Sequence, residues 1–305
     1  MYDIIIIGGG PAGLTAALYA LRAEKKVLVI EGTGFGGQIV YTKSVENFPG
    51  RENMNGAEFA DELLAQVMNN GGEIAFEKAK KIENGKIKTV ITDDGAHSAK
   101  AIIAATGVSH RHLNVRGEAE LIGKGVSFCA VCDGAFYKGK TVCVVGGGNT
   151  AADDALYLSD IAEKVYLIHR RDGFRAEPKT ITKLKEKSNI EMLLNTVVTG
   201  FNEKDGVLSG IETENVLTNV KSVLSDVSGA FLAVGQVPQN EIFRGTAELD
   251  KNGYLVAGEN TQTSASGIFA AGDCRTKAVR QLTTAVADGT VAAIAACEYI
   301  NEHGA

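Results

Sequence analysis

Residues 129–134 read Cys-Ala-Val-Cys-Asp-Gly, two cysteines three positions apart followed directly by a carboxylate. Such a pair can be half of a zinc site, a structural disulfide or a redox couple, and each needs different company elsewhere in the chain. Two other stretches carry a different chemistry. Gly8, Gly10 and Gly13 form a GxGxxG turn, and Gly146, Gly148 and Ala151 repeat its spacing. Glycines so placed bring a phosphate onto the N-terminus of the helix that follows. Eighteen residues beyond the third position the first copy has Glu31 and the second has His169, with Arg170, Arg171 and Arg175 close behind. A carboxylate accepts hydrogen bonds from a ribose 2′-hydroxyl, whereas guanidinium groups grip a 2′-phosphate. The second copy is therefore suited to NADPH rather than NADH.

The elements that must hold these residues recur in parallel. Each glycine turn lies between an apolar run, "IIII" or "TVCVV", and a helical stretch, and each helix leads to a second apolar run, "VLVI" or "VYLI". That is a βαβ unit, twice. Each unit continues into a helical stretch and then short segments broken by Asn84 and Gly85, Asp94 and Gly95, or Asp205 and Gly206, pairs that mark hairpins. The expected fold class is α/β, with two dinucleotide-binding, Rossmann-like domains, each a doubly wound parallel sheet with a small antiparallel meander. The tail reads as a strand ending at Gly272 and Asp273, then an alanine-rich helix to about Ile300, which returns the chain to its first domain. The expected division is a discontinuous first domain, 1–115 with 244–305, and a second, 116–243, carrying the cysteine pair.

At 305 residues and 45% apolar, the chain can fill two cores. Lys and Arg number 31 against 37 Asp and Glu, a net charge of -6, so there is no basic field for nucleic acid. The aliphatic runs are strand-length, far short of the roughly 20 residues of a membrane span, so no membrane partner is expected. The sequence enters its first strand without the basic segment of a signal peptide, which makes the cytoplasm the expected location. Five cysteines are an odd number for a disulfide framework. For zinc the chain lacks a second CxxC, and His110 and His112 stand at no common zinc spacing from Cys129. A structural disulfide closing so short a loop removes little chain entropy. Redox use is the expectation. Asp133 can move the proton that accompanies thiol chemistry, or serve as a turn or helix cap. Cys143 and Cys297 read as small core residues, and Cys274 is assigned no role.

With both fingerprints, "HRRDGFR", "CAVCDG" and "AAGD" in place, the chain resembles the low-molecular-weight thioredoxin reductases over essentially its full length. The resemblance implies FAD on the first domain, NADPH on the second, a redox disulfide between them in the electron path, a thioredoxin-like protein as substrate, and a homodimer. By the same resemblance Gly36, Gly37, Gln38, Asn47, Gly272, Asp273, Arg280 and Gln281 line the flavin, with Gly8, Gly10, Gly13 and Glu31. Asn149 and Thr150 join the NADPH turn. Cys132 contacts flavin, Cys129 attacks the partner, and Asp133 is favoured as catalytic. Val131 departs from the Thr common inside this motif. The larger glutathione-reductase-type enzymes carry their disulfide after the first βαβ unit, where "GTGFGGQIVYTKSVENFPG" has no cysteine. Two rivals remain: a flavoprotein that serves a peroxidase or reduces oxygen, and a flavin-bound redox sensor. Because disulfide and nicotinamide ride on one domain and need the same flavin, rotation of the domains is expected, hinged around Gly117 and after Gly235.

Overall fold

Residues 4–7, four isoleucines, lie wholly buried in β1 (Tyr2–Ile7), which has a parallel neighbour on each side and packing on each face. Burial on both faces is what permits a continuously apolar strand. The chain then turns into α1 (Pro11–Arg22), where proline at the first helical position costs no hydrogen bond, and into β2 (Val27–Ile30). This is a computed structural model, and it describes residues 1–42 and 44–303. Next come α2 (Gly56–Asn69), capped by the Asn55 side chain, then β3 (Glu73–Ala75), β4 (Ala79–Asn84), β5 (Lys88–Thr92), β6 (Ala96–Ala104) and β7 (Val108–His110).

The middle of the chain supplies α3 (Glu118–Leu121), β8 (Val126–Ser127), α4 (Ala130–Asp133), β9 (Thr141–Gly146), α5 (Asn149–Ser159), β10 (Lys164–Ile168), α6 (Pro178–Glu186) and β11 (Ile190–Leu193). It goes on through β12 (Thr196–Lys204), β13 (Val207–Asn215), β14 (Lys221–Leu224), β15 (Val227–Ala233) and β16 (Gln236–Pro238). The return leg adds β17 (Ile268–Ala270) and α7 (Leu282–His303).

Two units result, residues 1–109 with 237–305, and residues 110–236. The first is built on one seven-stranded sheet in the order β3-β2-β1-β6-β5-β4, with β17 also paired to β6. Its β6 does double duty: residues 99–104 run parallel to β1, while the N-terminal half pairs antiparallel with β5 to form the meander. The second unit separates these roles. Its main sheet, β11-β10-β9-β15-β8, is parallel throughout, and its meander, β12-β13-β14, is a sheet of its own. At the meander's first turn Asp205 and Gly206 have φ of 54° and 80°, the mirror-image turn that matches strand twist.

One face of the first sheet is covered by α1 and α7, which bury Leu14, Ala16, Ala292, Ala296 and Ile300 together. Gly289 makes this closeness possible, since a Cβ there would stand 2.2 Å from the Ala12 carbonyl oxygen.

Both crossings between the units come earlier than the sequence suggests, at 109/110 and 236/237 rather than 115/116 and 243/244. Local bonding explains the shift. Leu113 and Val115 pack against the second unit's core, Leu113 N and Asn114 N donate to Glu118 of α3 (3.2 and 2.7 Å), and Phe201 N of β12 donates to Arg116 O (2.9 Å). Phe243 is fully buried in the first unit's core, and Asn240 Nδ2 donates to Cys274 O (2.7 Å) in the same unit. Gly117 therefore lies inside the second unit, where a Cβ would be 2.5 Å from Phe201 O, and not at a crossing. The strands that do cross, β7 and β16, pair with each other as a two-stranded ribbon.

Candidate active site

In the first unit the glycines pack a strand end, a helix N-terminus and a loop into contact. A Cβ on Gly8 (φ 113°) would stand 2.2 Å from Ala105 O, and one on Gly13 would stand 1.9 Å from Gly8 O. Gly10, the N-cap of α1, is different: nothing lies closer than 3.9 Å, and no side chain caps the helix. An uncapped helix start facing open space is suited to an anion. Gly36 and Gly37 border that space, and Gly36 N donates to Gly9 O (2.8 Å). Glu31 accepts from Gly9 N (2.8 Å) through Oε2, and from Thr33 N, Thr33 Oγ1 (both 2.7 Å) and Gly34 N (3.2 Å) through Oε1. Oε2 thus keeps an accepting lone pair.

The turn at Gly272 (φ 78°) sits on the start of α1, with a would-be Cβ 2.8 Å from Ala12 Cβ. Asp273 follows it with Oδ1 buried and without a hydrogen-bond partner. Burial pushes this carboxyl up, against the charges of Lys277 and Arg280. Arg280 is fixed by donating to Asp273 O and Arg275 O while lying 4.3 Å above the Tyr254 ring. Asn47 Nδ2 reaches Gln281 Oε1 (3.4 Å), and Gln38 Nε2 donates to Val108 O. The structure therefore brings together Gly10, Gly36, Gly37, Gly272, Asp273 and Arg280 around the start of α1, with Asn47 and Gln281 paired alongside.

The second turn repeats the geometry. A Cβ on Gly146 would meet Ala233 O at 2.4 Å, whereas Gly148, the uncapped N-cap of α5, has nothing within 4 Å. His169 closes the turn from below: its ring occupies the space where a Gly147 Cβ would be, and stacks on Phe174 (5.3 Å, 22°). Arg175 N donates to Gly147 O (2.7 Å), and Glu177 N donates to Asn149 Oδ1 (2.9 Å). The basic loop is thereby laced to the glycine turn. Thr150, Arg170, Arg171 and Arg175 are exposed, and the three guanidiniums enter no ion pair among the described residues. His169 Nε2 is buried without a partner. Burial, with the neighbouring arginines, lowers its pKa, so the ring is neutral at physiological pH.

Cys129 and Cys132 are joined as a disulfide with Cα atoms 5.3 Å apart, at the start of α4. Both are half-buried and Val131 between them is exposed. Burial pushes Asp133 above the usual carboxylate range, with a hydrogen bond from Ser127 Oγ (2.6 Å) pulling the other way. Phe128, one residue before Cys129, lies between His110 (4.4 Å, stacked) and His112 (5.4 Å, edge-on). His112 Nδ1 contacts the buried Glu118 (3.0 Å), and burial, then the charge of His112, brings His110 down to about 4. Cys143, Cys274 and Cys297 are buried free thiols.

Sequence reasoning missed three groups. Ser127 and the His110, Phe128, His112 stack carry no motif. The third is an ionic network: Arg275 donates to both oxygens of Asp288 (2.8 Å each), and Lys277 Nζ (2.9 Å) and Gly272 N (3.0 Å) donate to Asp288 Oδ2. All three side chains are about nine-tenths buried. The signal was an aspartate in an otherwise alanine-rich apolar helix, a placement that calls for a buried partner.

The pyridine nucleotide-disulphide oxidoreductase family model matches residues 2–289. A thioredoxin reductase of Mycolicibacterium smegmatis is 43% identical, over 99% of this chain and 97% of its own. Among solved structures, thioredoxin reductase from Streptococcus pyogenes matches with a TM-score of 0.95 at 38% identity, over 99% of both chains. That from Lactococcus lactis in its FR conformation matches with a TM-score of 0.68 at 37% identity, over 99% of this chain and 100% of that one. The chain belongs to the thioredoxin reductases of the pyridine nucleotide-disulphide oxidoreductase family.

The cofactors of this family, FAD and NADPH, suit the residues present. The orphaned Oδ1 of Asp273 and the open space at Gly10 fit a flavin dinucleotide. The orphaned Nε2 of His169, the open space at Gly148 and three unpaired guanidiniums fit a nucleotide with a 2′-phosphate.

Proposed function

We propose that the chain passes electrons from NADPH, by way of FAD, to the Cys129–Cys132 disulfide and from there to the disulfide of a small thioredoxin-like protein. The observation that carries this reading is a half-buried disulfide beside a half-buried carboxyl, on the same unit as a glycine turn edged by unpaired arginines. When bound, FAD supplies the two-electron link between nicotinamide and disulfide. The chain's own residues do the rest. Gly8, Gly10 and Gly13 with the start of α1 hold the flavin pyrophosphate; Glu31 accepts a ribose hydroxyl; Gly36, Gly37, Gln38, Asn47, Asp273, Arg280 and Gln281 line the remainder. Gly146, Gly148, Asn149 and Thr150 hold the NADPH pyrophosphate, and His169, Arg170, Arg171 and Arg175 take its 2′-phosphate.

The reduced pair enters exchange as a Cys129 thiolate and a Cys132 thiol. Cys129 Sγ attacks the partner disulfide, so a mixed S–S bond forms and the partner's S–S bond breaks. The expelled thiolate takes the proton of Asp133, whose pKa burial raises above its ordinary value. Cys132 returns a proton to Asp133 and displaces the partner from Cys129, closing the disulfide. The second partner thiolate is protonated by solvent. Tyr137 is no rival donor, because burial and the charge of Asp133 push it up to about 12.

The same reading places the protein in the cytoplasm as a homodimer. Among the described residues no helix is long and apolar enough to cross a membrane, and exposed Val291 and Ile294 on α7 and Tyr19 on α1 offer apolar surface to a second copy. Rotation of one unit against the other is part of the proposal. It is supported by the two solved relatives, whose TM-scores differ by far more than their nearly equal identities account for.

The test is NADPH oxidation by the holoprotein with a panel of thioredoxins, with oxygen alone as control. Turnover that requires a thioredoxin supports the reading, and equal turnover with oxygen alone overturns it. For rotation, engineered cysteines that cross-link the two units with the disulfide held against the flavin should block reduction of FAD by NADPH. Unimpaired multiple turnover in that locked form overturns alternation.

A further inference from the structure

Ser127 lies at the end of the short strand β8, held parallel to β15 by the pairing of Ala230 with Val126 and of Phe231 with Ser127. Its side chain is buried, so the partners of its hydroxyl can be enumerated. The oxygen receives Cys129 N–H (3.1 Å) and has two acceptors in reach, Asp133 Oδ2 at 2.6 Å and Cys129 O at 3.4 Å. A hydroxyl has one proton to give. While Asp133 is ionised, the shorter contact takes that proton. Once Asp133 is protonated on Oδ2, the carboxyl becomes the donor along the same line. The serine proton must then turn to Cys129 O.

We infer that Ser127 is a positioning residue for proton transfer: its hydroxyl holds Asp133 against the peptide of Cys129 and reverses direction as Asp133 gains and loses its proton. This rests on the reading of Asp133 as the proton carrier in thiol–disulfide exchange. The chemistry follows from the balance of that exchange. Asp133 gives a proton to the departing partner thiolate and regains one from Cys132, so its carboxyl alternates between donor and acceptor once per turnover. A fixed backbone donor could satisfy only the ionised form. A hydroxyl satisfies both, and it keeps Oδ2 paired in either state.

The groups that face Asp133 are few. The turn following α4 brings Tyr137, already excluded as a donor, and α5, which packs against α4, sets Tyr157 against Gly134. On α5, burial and the charge of Asp153 push Asp154 up to about 7, so this carboxyl titrates within the pH range of the assay. The experiment is therefore done in an Asp154→Asn background as well as in the native chain.

Holoenzyme is assayed for thioredoxin reduction across pH, with Ser127→Ala, Ser127→Thr and Asp133→Asn, and each variant's FAD content and rate of flavin reduction by NADPH are recorded. The alkaline limb marks the pH at which the proton donor is lost. Ser127→Ala removes a donor to the carboxylate, so Asp133 holds its proton more tightly and the limb moves to higher pH. Its kcat with thioredoxin falls about tenfold, less than the roughly 10²- to 10⁴-fold that an acid–base group itself supplies, because Asp133 is misaligned and not lost. Ser127→Thr restores the limb and most of the rate, while FAD content and flavin reduction stay at the native level in both. A Ser127→Ala limb at the native pH, or a loss that threonine does not restore, overturns the role of Ser127. An Asp133→Asn enzyme with native rate and limb instead overturns the assignment of Asp133 on which it stands.

Discussion

At the end of β2, Glu31 is held by three donors of its own loop and one of the glycine turn, Gly9 N, and the Asp288 network fixes the Gly272 turn that meets the start of α1. At the end of β10 the equivalent position holds His169, with one ring nitrogen unsatisfied and three guanidiniums beside it reaching into solvent. The strand–turn–helix plan is the same, and the first glycine of each turn, Gly8 or Gly146, lies against the backbone carbonyl of a neighbouring strand's end, Ala105 O or Ala233 O. The difference lies in whether side chains or a ligand complete the site. A turn tied down by its own side chains suits a cofactor that stays. A turn that leaves its charges unpaired suits a nucleotide that must arrive and leave on every cycle.

The largest effect expected from separating these two roles is that of Cys132→Ser. Thioredoxin reduction should disappear, while FAD remains bound and reducible by NADPH, because neither glycine turn depends on the sulfurs. Retained thioredoxin turnover would remove the disulfide from the path.

Next in size is Asp288→Asn, which leaves Arg275 and Lys277 buried without a counter-charge and should cost about 3–5 kcal/mol in denaturant unfolding at neutral pH. Burial alone would raise this carboxyl, but hydrogen bonds and charge from Arg275 and Lys277 together hold it below the usual carboxylate range. A depressed pKa contributes stability that is present above the unfolded-state value and is lost as the pH falls through the folded value. The native protein should therefore lose stability on acidification over a range where the variant's curve is flatter. FAD should also leave the variant faster, with the Michaelis constant for NADPH unmoved. A change in the latter would mean that the two turns are not independent.

Replacing Arg170 and Arg171 together by Ala should raise the Michaelis constant for NADPH about 10- to 100-fold, the loss of one or two charge-assisted hydrogen bonds, with NADH use nearly untouched. Equal losses with both nucleotides would show that the cluster does not read the 2′-phosphate.

Gly148→Ala is the mildest. Its backbone (φ −99°) is open to any residue and its Cβ meets nothing within 4 Å, so Tm should change by no more than about 2 °C. Only the Michaelis constant for NADPH should rise, by a few-fold. The matching change at Gly13, where a Cβ stands 1.9 Å from a carbonyl, should destabilise the protein outright.

Spacing made much of this legible before any coordinates. The glycine turns, Glu31, His169 and the arginines obey a local rule of the βαβ unit, in which strand, turn and helix fix each residue within a few dozen positions. The hairpins at Gly85, Gly95 and Gly206 were legible for the same reason. Ser127 was not, because it enters through a two-residue strand whose register is set by β15, a hundred residues onward. Asp288 signalled only that it needed a buried partner and not which one: Arg275 and Lys277 precede it by more than ten residues across a turn that no periodicity describes. The misplaced hinge has a similar cause. Gly117 has the positive φ of a pivot, yet the chain around it is already bonded to β12.

The ribbon of β7 and β16 places the entry and exit of residues 110–236 side by side, so that segment is a continuous insertion within a discontinuous host. On a ribosome the inserted unit has its whole sequence available as soon as β16 emerges, whereas β6 still waits for β17, and α1 for α7. Until the last helix arrives, Leu14 and Ala16 of α1 lack the cover that Ala292, Ala293 and Ala296 of α7 give them. The host's closure is therefore a late, long-range event, and its half-built sheet is the stretch of this chain most in need of protection while it is being made.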